Sequence, residues 1–197
     1  QAGDFYLAAL RPGVKAVGGA SPREWTFYID TSASAAEGGE HRVRAIEALL
    51  SALPSSDHVE VFAFDNEVVS MGRGPASSTG DSIAERLRER LFIGGTDLAG
   101  ALRHAAQGAG HRPGRAIVFV SDFVATLGAA SANDVLEAAR AIPGRVRVDA
   151  VIVGSRQDAA VARRLTAGRG RVVTVPFTDR LESSAREAAA MLRRPVG

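Results

Sequence analysis

The chain contains no cysteine. That excludes a disulfide framework and any thiolate metal site, and it leaves the compartment open. Lysine is almost as scarce. Lys15 is the only one, although Lys and Arg together number 24. Arginine in place of lysine, with abundant Ala and Gly, is the mark of GC-rich coding. The pI of about 9.6 is therefore no sign of a nucleic-acid partner, and the net charge is only +2. The densest basic group, Arg86, Arg88 and Arg90, alternates with Glu85 and Glu89 on one expected helix, the pattern of a solvated face. No apolar run approaches the roughly 20 residues of a membrane helix, so direct membrane insertion is not expected. No leader or lipidation signal is evident. A chain that begins at Gln1 reads as a piece of a longer protein.

What is present is ordinary globular composition: 197 residues, 46% hydrophobic and 23% charged, enough for one α/β domain with a real core. Strand-like and helix-like segments alternate. Glu24 to Ile29, His58 to Phe64, Arg115 to Val120, Val146 to Val153 and Val172 to Val175 read as strands. Val68 to Met71 reads as the second arm of a hairpin turning at Asp65-Asn66. Helical spacing marks Glu40 to Leu53, Asp81 to Leu91, Leu98 to Gln107, Ser131 to Ile142, Asp158 to Ala167 and a last helix from about Asp179 to Arg193. Residues 72–80 read as a loop. The alternation predicts a doubly wound, mostly parallel open sheet with helices on both faces, an α/β fold. It spans residues 24–197. Residues 1–23 stand apart as an N-terminal extension, with a strand-like piece from Asp4 to Leu10.

In such sheets ligands bind beyond the carboxyl ends of the strands, near the point where strand order reverses. The first strand runs into Asp30-Thr31-Ser32-Ala33-Ser34, the RAIVFV strand runs into Ser121-Asp122, and Gly94-Gly95-Thr96-Asp97-Leu98 opens a helix between them. Asp30, Ser32, Ser34, Thr96 and Asp122 are all hard oxygen donors with no His or Cys among them. That set points to Mg²⁺, Mn²⁺ or Ca²⁺ rather than Zn²⁺. An ion touched mainly by hydroxyls keeps most of its charge and seeks an anionic ligand, which favours capture of an acidic side chain over catalysis.

These elements resemble the metal-ion-dependent adhesion site of von Willebrand factor type A domains. DTSAS matches their DxSxS element, GGTDL their threonine element and VSD their second aspartate element. The resemblance covers about residues 24–195. The opening GDFYLAALRP with WTFYIDTS resembles more specifically the inter-α-trypsin-inhibitor heavy-chain type, in which a VIT domain precedes the A domain. The resemblance implies that Ser32, Ser34 and Thr96 ligate the ion directly and that Asp30 and Asp122 act through water or at longer range. It also makes the last helix a candidate moving part. Two positions depart from the pattern: Ala35 stands where many members carry Met, and Phe123 where many carry Gly. Phe123 is expected to narrow the rim.

The remaining candidates have plainer readings. His41, His58, His104 and His111 are scattered and join no nucleophile. Gly72-x-Gly74 and Gly108-x-Gly110 lack the Lys-Ser/Thr of a phosphate loop. Trp25 reads as packing, and Asp65 and Asn66 as turn residues. The expected function is a non-enzymatic, metal-dependent protein-binding module that captures a carboxylate on a partner protein. The alternatives are a metal-dependent hydrolase or phosphotransferase, and a structural domain without an ion.

Overall fold

Six strands build one sheet in this computed structural model, which describes residues 23–36, 38–109, 115–154 and 157–196. They are β1 (Glu24–Asp30), β2 (His58–Phe64), β3 (Val68–Pro75), β4 (Ala116–Ser121), β5 (Arg147–Val153) and β6 (Val172–Val175). Their order is β3-β2-β1-β4-β5-β6. All neighbours are parallel except β2 and β3, which form the antiparallel hairpin. The helices are α1 (Gly39–Ser51), α2 (Ala76–Glu89), α3 (Leu98–Ala109), α4 (Ala132–Arg140), α5 (Ala159–Thr166) and α6 (Leu181–Leu192). The expected N-terminal piece, Asp4 to Leu10 included, lies outside the described residues, as do Gly110 and His111.

Successive strand side chains point to opposite faces, and both faces here are apolar, so the strands sort their residues into two cores. Trp25, Phe27 and Ile29 of β1 join Val59, Val61, Val118, Val120, Val151 and Val153 on one face, under α1, α2 and α6. Tyr28, Phe64, Ile117, Phe119, Val148 and Ile152 fill the other, under α3, α4 and α5. Each fully buried Val, Leu, Ile or Phe contributes about 1.5–3 kcal/mol. Helix α1 packs against both α2 and α6, which makes it the middle helix of its face.

The expected loop at 72–80 is a correction. Strand β3 runs on to Pro75 and α2 starts at Ala76. The pairing register slips between Val61 and Phe62, opposite a Gly72 whose φ of 135° a side chain rarely tolerates. Glycines that read as loop markers are thus part of a bulged edge strand. The last helix also starts differently. Its N-cap is Arg180, without a side-chain cap bond, and the helix proper begins at Leu181 rather than at Asp179. Asp158, by contrast, caps α5 through bonds from the backbone of Ala160 and Val161.

Candidate metal-binding site

Strand order reverses between β1 and β4, since β1 continues to β2 on one side while β4 continues to β5 on the other. Ile29 pairs with Val120, so the next residues outward, Asp30 and Ser121, emerge side by side at the sheet's carboxyl edge. Asp30 is fully buried there. One of its oxygens accepts from Ser32 N at 2.9 Å and the other from Ser121 Oγ at 2.6 Å. Burial raises the Asp30 carboxyl above the ordinary value of 3.8. The bonds from Ser121 and Ser32 oppose that shift, and the Asp122 charge reinforces it.

A short 3-10 turn, Ala33–Ala36, follows β1 and turns Ser34 back toward Ser32, leaving their hydroxyls 3.1 Å apart. The two hydroxyls therefore face the same space. Thr96 is buried, with its backbone N–H donating to Thr126 Oγ1 at 2.8 Å and its carbonyl accepting from Thr126 N and Leu127 N. Asp122, also buried, accepts from Val124 N at 2.9 Å through Oδ1. Asp97 rather than Thr96 starts α3, accepting from Gly100 N at 2.8 Å.

The three loops are bound to one another. Ala33 N donates to Gly94 O at 3.0 Å, joining the serine loop to the threonine loop. Gly95 N donates to Asn66 Oδ1 at 2.7 Å, and Asp97 N to Asp65 O at 2.9 Å. A Cβ on Gly94 would lie 2.6 Å from Asn66, and one on Gly95 2.7 Å from Leu127, so this junction needs both glycines. Arg90 donates from Nε to Thr31 Oγ1 at 2.9 Å and from Nη2 to Asp65 Oδ2 at 2.7 Å. Asp65, Asn66 and Arg90 are thus positioning residues for the site, not mere turn and surface residues. Arg86 and Arg88 are exposed, as the solvated-face reading has them, although Arg86 also donates to Met71 O at 2.7 Å; only Arg90 departs from it. Nothing in the local sequence distinguishes Arg90 from Arg88, which pairs with Glu40 and Glu47 on the surface.

Phe123 does not reach the rim as expected. Its side chain is buried in the core beneath α3 and α4. Its φ of 61° makes it the only non-glycine residue with positive φ among those described. Ser121 Oγ accepts from its backbone N–H at 2.9 Å. This turn requires a left-handed residue, at a cost of roughly 1–2 kcal/mol for one bearing a Cβ. Burial of the ring offsets it. Ala35 is likewise buried and adds nothing to the rim.

Two buried polar atoms of the five residues have no hydrogen-bond partner: Thr96 Oγ1 and Asp122 Oδ2. Such an atom costs about 1–3 kcal/mol when left unsatisfied. A hard cation would satisfy both, so the donor set fits an ion of the Mg²⁺ class. Among the described residues no three His, Cys, Asp or Glu side chains gather into a metal cluster, so any ion here depends on the hydroxyls.

The profile of the von Willebrand factor type A domain matches residues 26–125. No curated protein matches the sequence. Several solved structures share the fold. A von Willebrand factor type A protein from Catenulispora acidiphila is similar with TM-score 0.69 and 17% identity, over 87% of this chain and 42% of that one. The chain thus spans about two fifths of that protein's length. The pilus adhesin SpaC of Lactobacillus rhamnosus GG is similar with TM-score 0.67 and 13% identity, over 88% of this chain and 30% of that one. Manganese-loaded TRAP protein of Plasmodium vivax is similar with TM-score 0.65 and 16% identity, over 88% of this chain and 72% of that one. The profile match runs from β1 to the loop after β4 and takes in all five site residues: the chain belongs to the von Willebrand factor type A domain family.

Proposed function

We propose that this domain is a protein-interaction module that holds one Mg²⁺-class ion on Ser32, Ser34 and Thr96, with Asp30 and Asp122 behind them, and captures a carboxylate of a partner protein on that ion. The observation that carries the reading is the pair of orphaned buried atoms, Thr96 Oγ1 and Asp122 Oδ2, on two loops stitched into one site. The surroundings favour a protein ligand. Leu91, Ile93 and Leu127 are 73%, 60% and 40% exposed, and they sit on the segments that carry Gly94 and contact Thr96. Exposed large apolar side chains beside a polar centre are the usual make-up of an interaction surface. Fold relatives include a pilus adhesin and a manganese-loaded protein, which accords with both halves of the proposal. The closer kinship with the inter-α-trypsin-inhibitor heavy-chain type is part of the same proposal and rests on GDFYLAALRP followed by WTFYIDTS.

The test is calorimetric titration of Mn²⁺ into the wild type and into Asp30→Ala, with folding checked by circular dichroism. Binding of one ion by the wild type and none by a folded Asp30→Ala is expected. An absence of wild-type binding would leave the ion-free structural reading. Turnover of phosphate esters in Mn²⁺ would favour the hydrolase. An array of peptides bearing Asp or Glu, against the same peptides with Asn or Gln, in Mn²⁺ and in EDTA, then tests carboxylate capture.

A further inference from the structure

Arg42 lies in the first turn of α1, immediately after the loop that carries Ser32 and Ser34. It is only 2% exposed. Arginine is almost never buried so deeply unless it is paired. Its Nη2 donates to Val153 O at 3.1 Å, yet Nε and Nη1 have no hydrogen-bond partner. No carboxylate is in salt-bridge contact with it among the described residues. The burial is therefore costly and calls for a compensating charge nearby.

The sheet register says which charge. Ser121 of β4 pairs with Ile152 of β5, so Asp122 and Val153 are the next neighbours outward. Arg42 is thus bonded to a carbonyl one residue beyond the last β4–β5 pair, at the sheet edge where Asp122 leaves β4. Asp30 stands one strand further along the same edge. Desolvation lowers the Arg42 pKa, and the acids that raise it again are Asp30 and Asp122.

We infer that Arg42 is a resident counter-cation of the site: without touching either carboxylate, its charge offsets the repulsion between Asp30 and Asp122 when no ion is bound and opposes a divalent ion when one is. The inference rests on the metal-binding reading above. Its electrostatics are simple. Two carboxylates and one guanidinium sum to one negative charge. A divalent ion turns that into one positive charge, which a single partner carboxylate neutralises. Without Arg42 the loaded site would already be neutral and the ion-free site would carry two unopposed charges in low dielectric. Arg42 thus makes the ion easier to lose and the loaded site hungrier for an anion.

The experiment compares wild type, Arg42→Met and Arg42→Lys, by Mn²⁺ titration calorimetry and by thermal melting with and without saturating Mn²⁺. Arg42→Met should bind Mn²⁺ at least tenfold more tightly than wild type. It should melt lower than wild type without the ion and recover most of that deficit in Mn²⁺. Arg42→Lys keeps the charge and should stay within about threefold of the wild-type affinity. A purely structural Arg42 would lower both melting temperatures equally and leave the affinity unchanged, which would overturn the inference. If Arg42→Met folds only in Mn²⁺, the inference stands. If it folds in neither condition, Arg42→Gln replaces it: tighter binding than Arg42→Lys supports the inference, and equal binding overturns it. A wild type that binds no Mn²⁺ overturns the metal reading itself, a result visible before any variant is compared.

Discussion

At the scale of single residues, the site is a set of groups kept in states that would be unfavourable elsewhere. Thr96 carries a buried hydroxyl without a partner. Thr96→Val removes it at almost constant shape and should stabilise the ion-free protein by about 1 kcal/mol while weakening Mn²⁺ binding at least tenfold. Urea denaturation and calorimetry read the two effects, and a loss of stability in the ion-free form would contradict the assignment. Asp30 is the second case. Burial raises its carboxyl above 3.8, so the folded, ion-free chain binds that proton more tightly than the unfolded chain does. Its contribution to stability is then full below the unfolded value and is lost as pH rises through the folded one. A divalent ion held as proposed would compete with the same proton. Mn²⁺ affinity should accordingly fall on acidification at pH values where an ordinary aspartate is still fully ionised. A dissociation constant that stays flat from about pH 7 to pH 4 would rule this out.

At the scale of elements, α6 is the part whose role the structure constrains most. Its inner face is small and apolar, with Ala185, Ala188 and Ala189 between Leu181 and Leu192. Such a face buries little area per turn, and by itself it would let the helix slide at modest cost. Polar contacts just beyond its end oppose that. Arg193 pairs with Asp57, which is fully buried before β2 and also accepts from Trp25 Nε1 at 2.8 Å and from Arg23 N at 3.1 Å. Arg147 Nη1 donates to Arg194 O at 2.9 Å. A shift of α6 along its axis would strain the Arg193–Asp57 pair. Arg193→Ala should cost about 1–3 kcal/mol, less than a wholly buried pair because Arg193 is partly exposed. It should also speed hydrogen exchange in the last two turns of α6 relative to α1. Unchanged exchange there would mean that the alanine face alone holds the helix.

At the scale of the whole molecule, a single sheet with helices on both faces couples the site to global stability. The loops of the candidate site emerge from β1 and β4, the central strands, whose side chains feed both cores. An ion that binds only the folded state at 100 times its dissociation constant adds about 2.7 kcal/mol. For a domain of this size that corresponds to a rise in melting temperature of about 5–11 °C. Differential scanning calorimetry with Mn²⁺ and with EDTA checks it, and coincident transitions would show that no ion is bound.

Much of this architecture was legible in the sequence because its signals are local. Period-two and period-3.6 patterns depend on neighbours a few residues away, and among the described residues they located each strand and α-helix to within a few residues, apart from the stretch at 72–80. There, glycines in a bulged edge strand look the same as glycines in a loop. The five candidate site residues were legible because they cluster within three short motifs at element ends. The inward turn of Phe123 was not legible, since nothing in VSDF reveals a positive φ. Nor were the roles of Arg42, Asp57, Asn66 and Arg90, whose partners lie 25 to 136 residues away. Sequence alone determined the elements and the donor types, because backbone preference and side-chain chemistry are properties of a short segment. Only the tertiary structure decided which charges are buried together, because desolvation and pairing depend on what the rest of the chain packs around them.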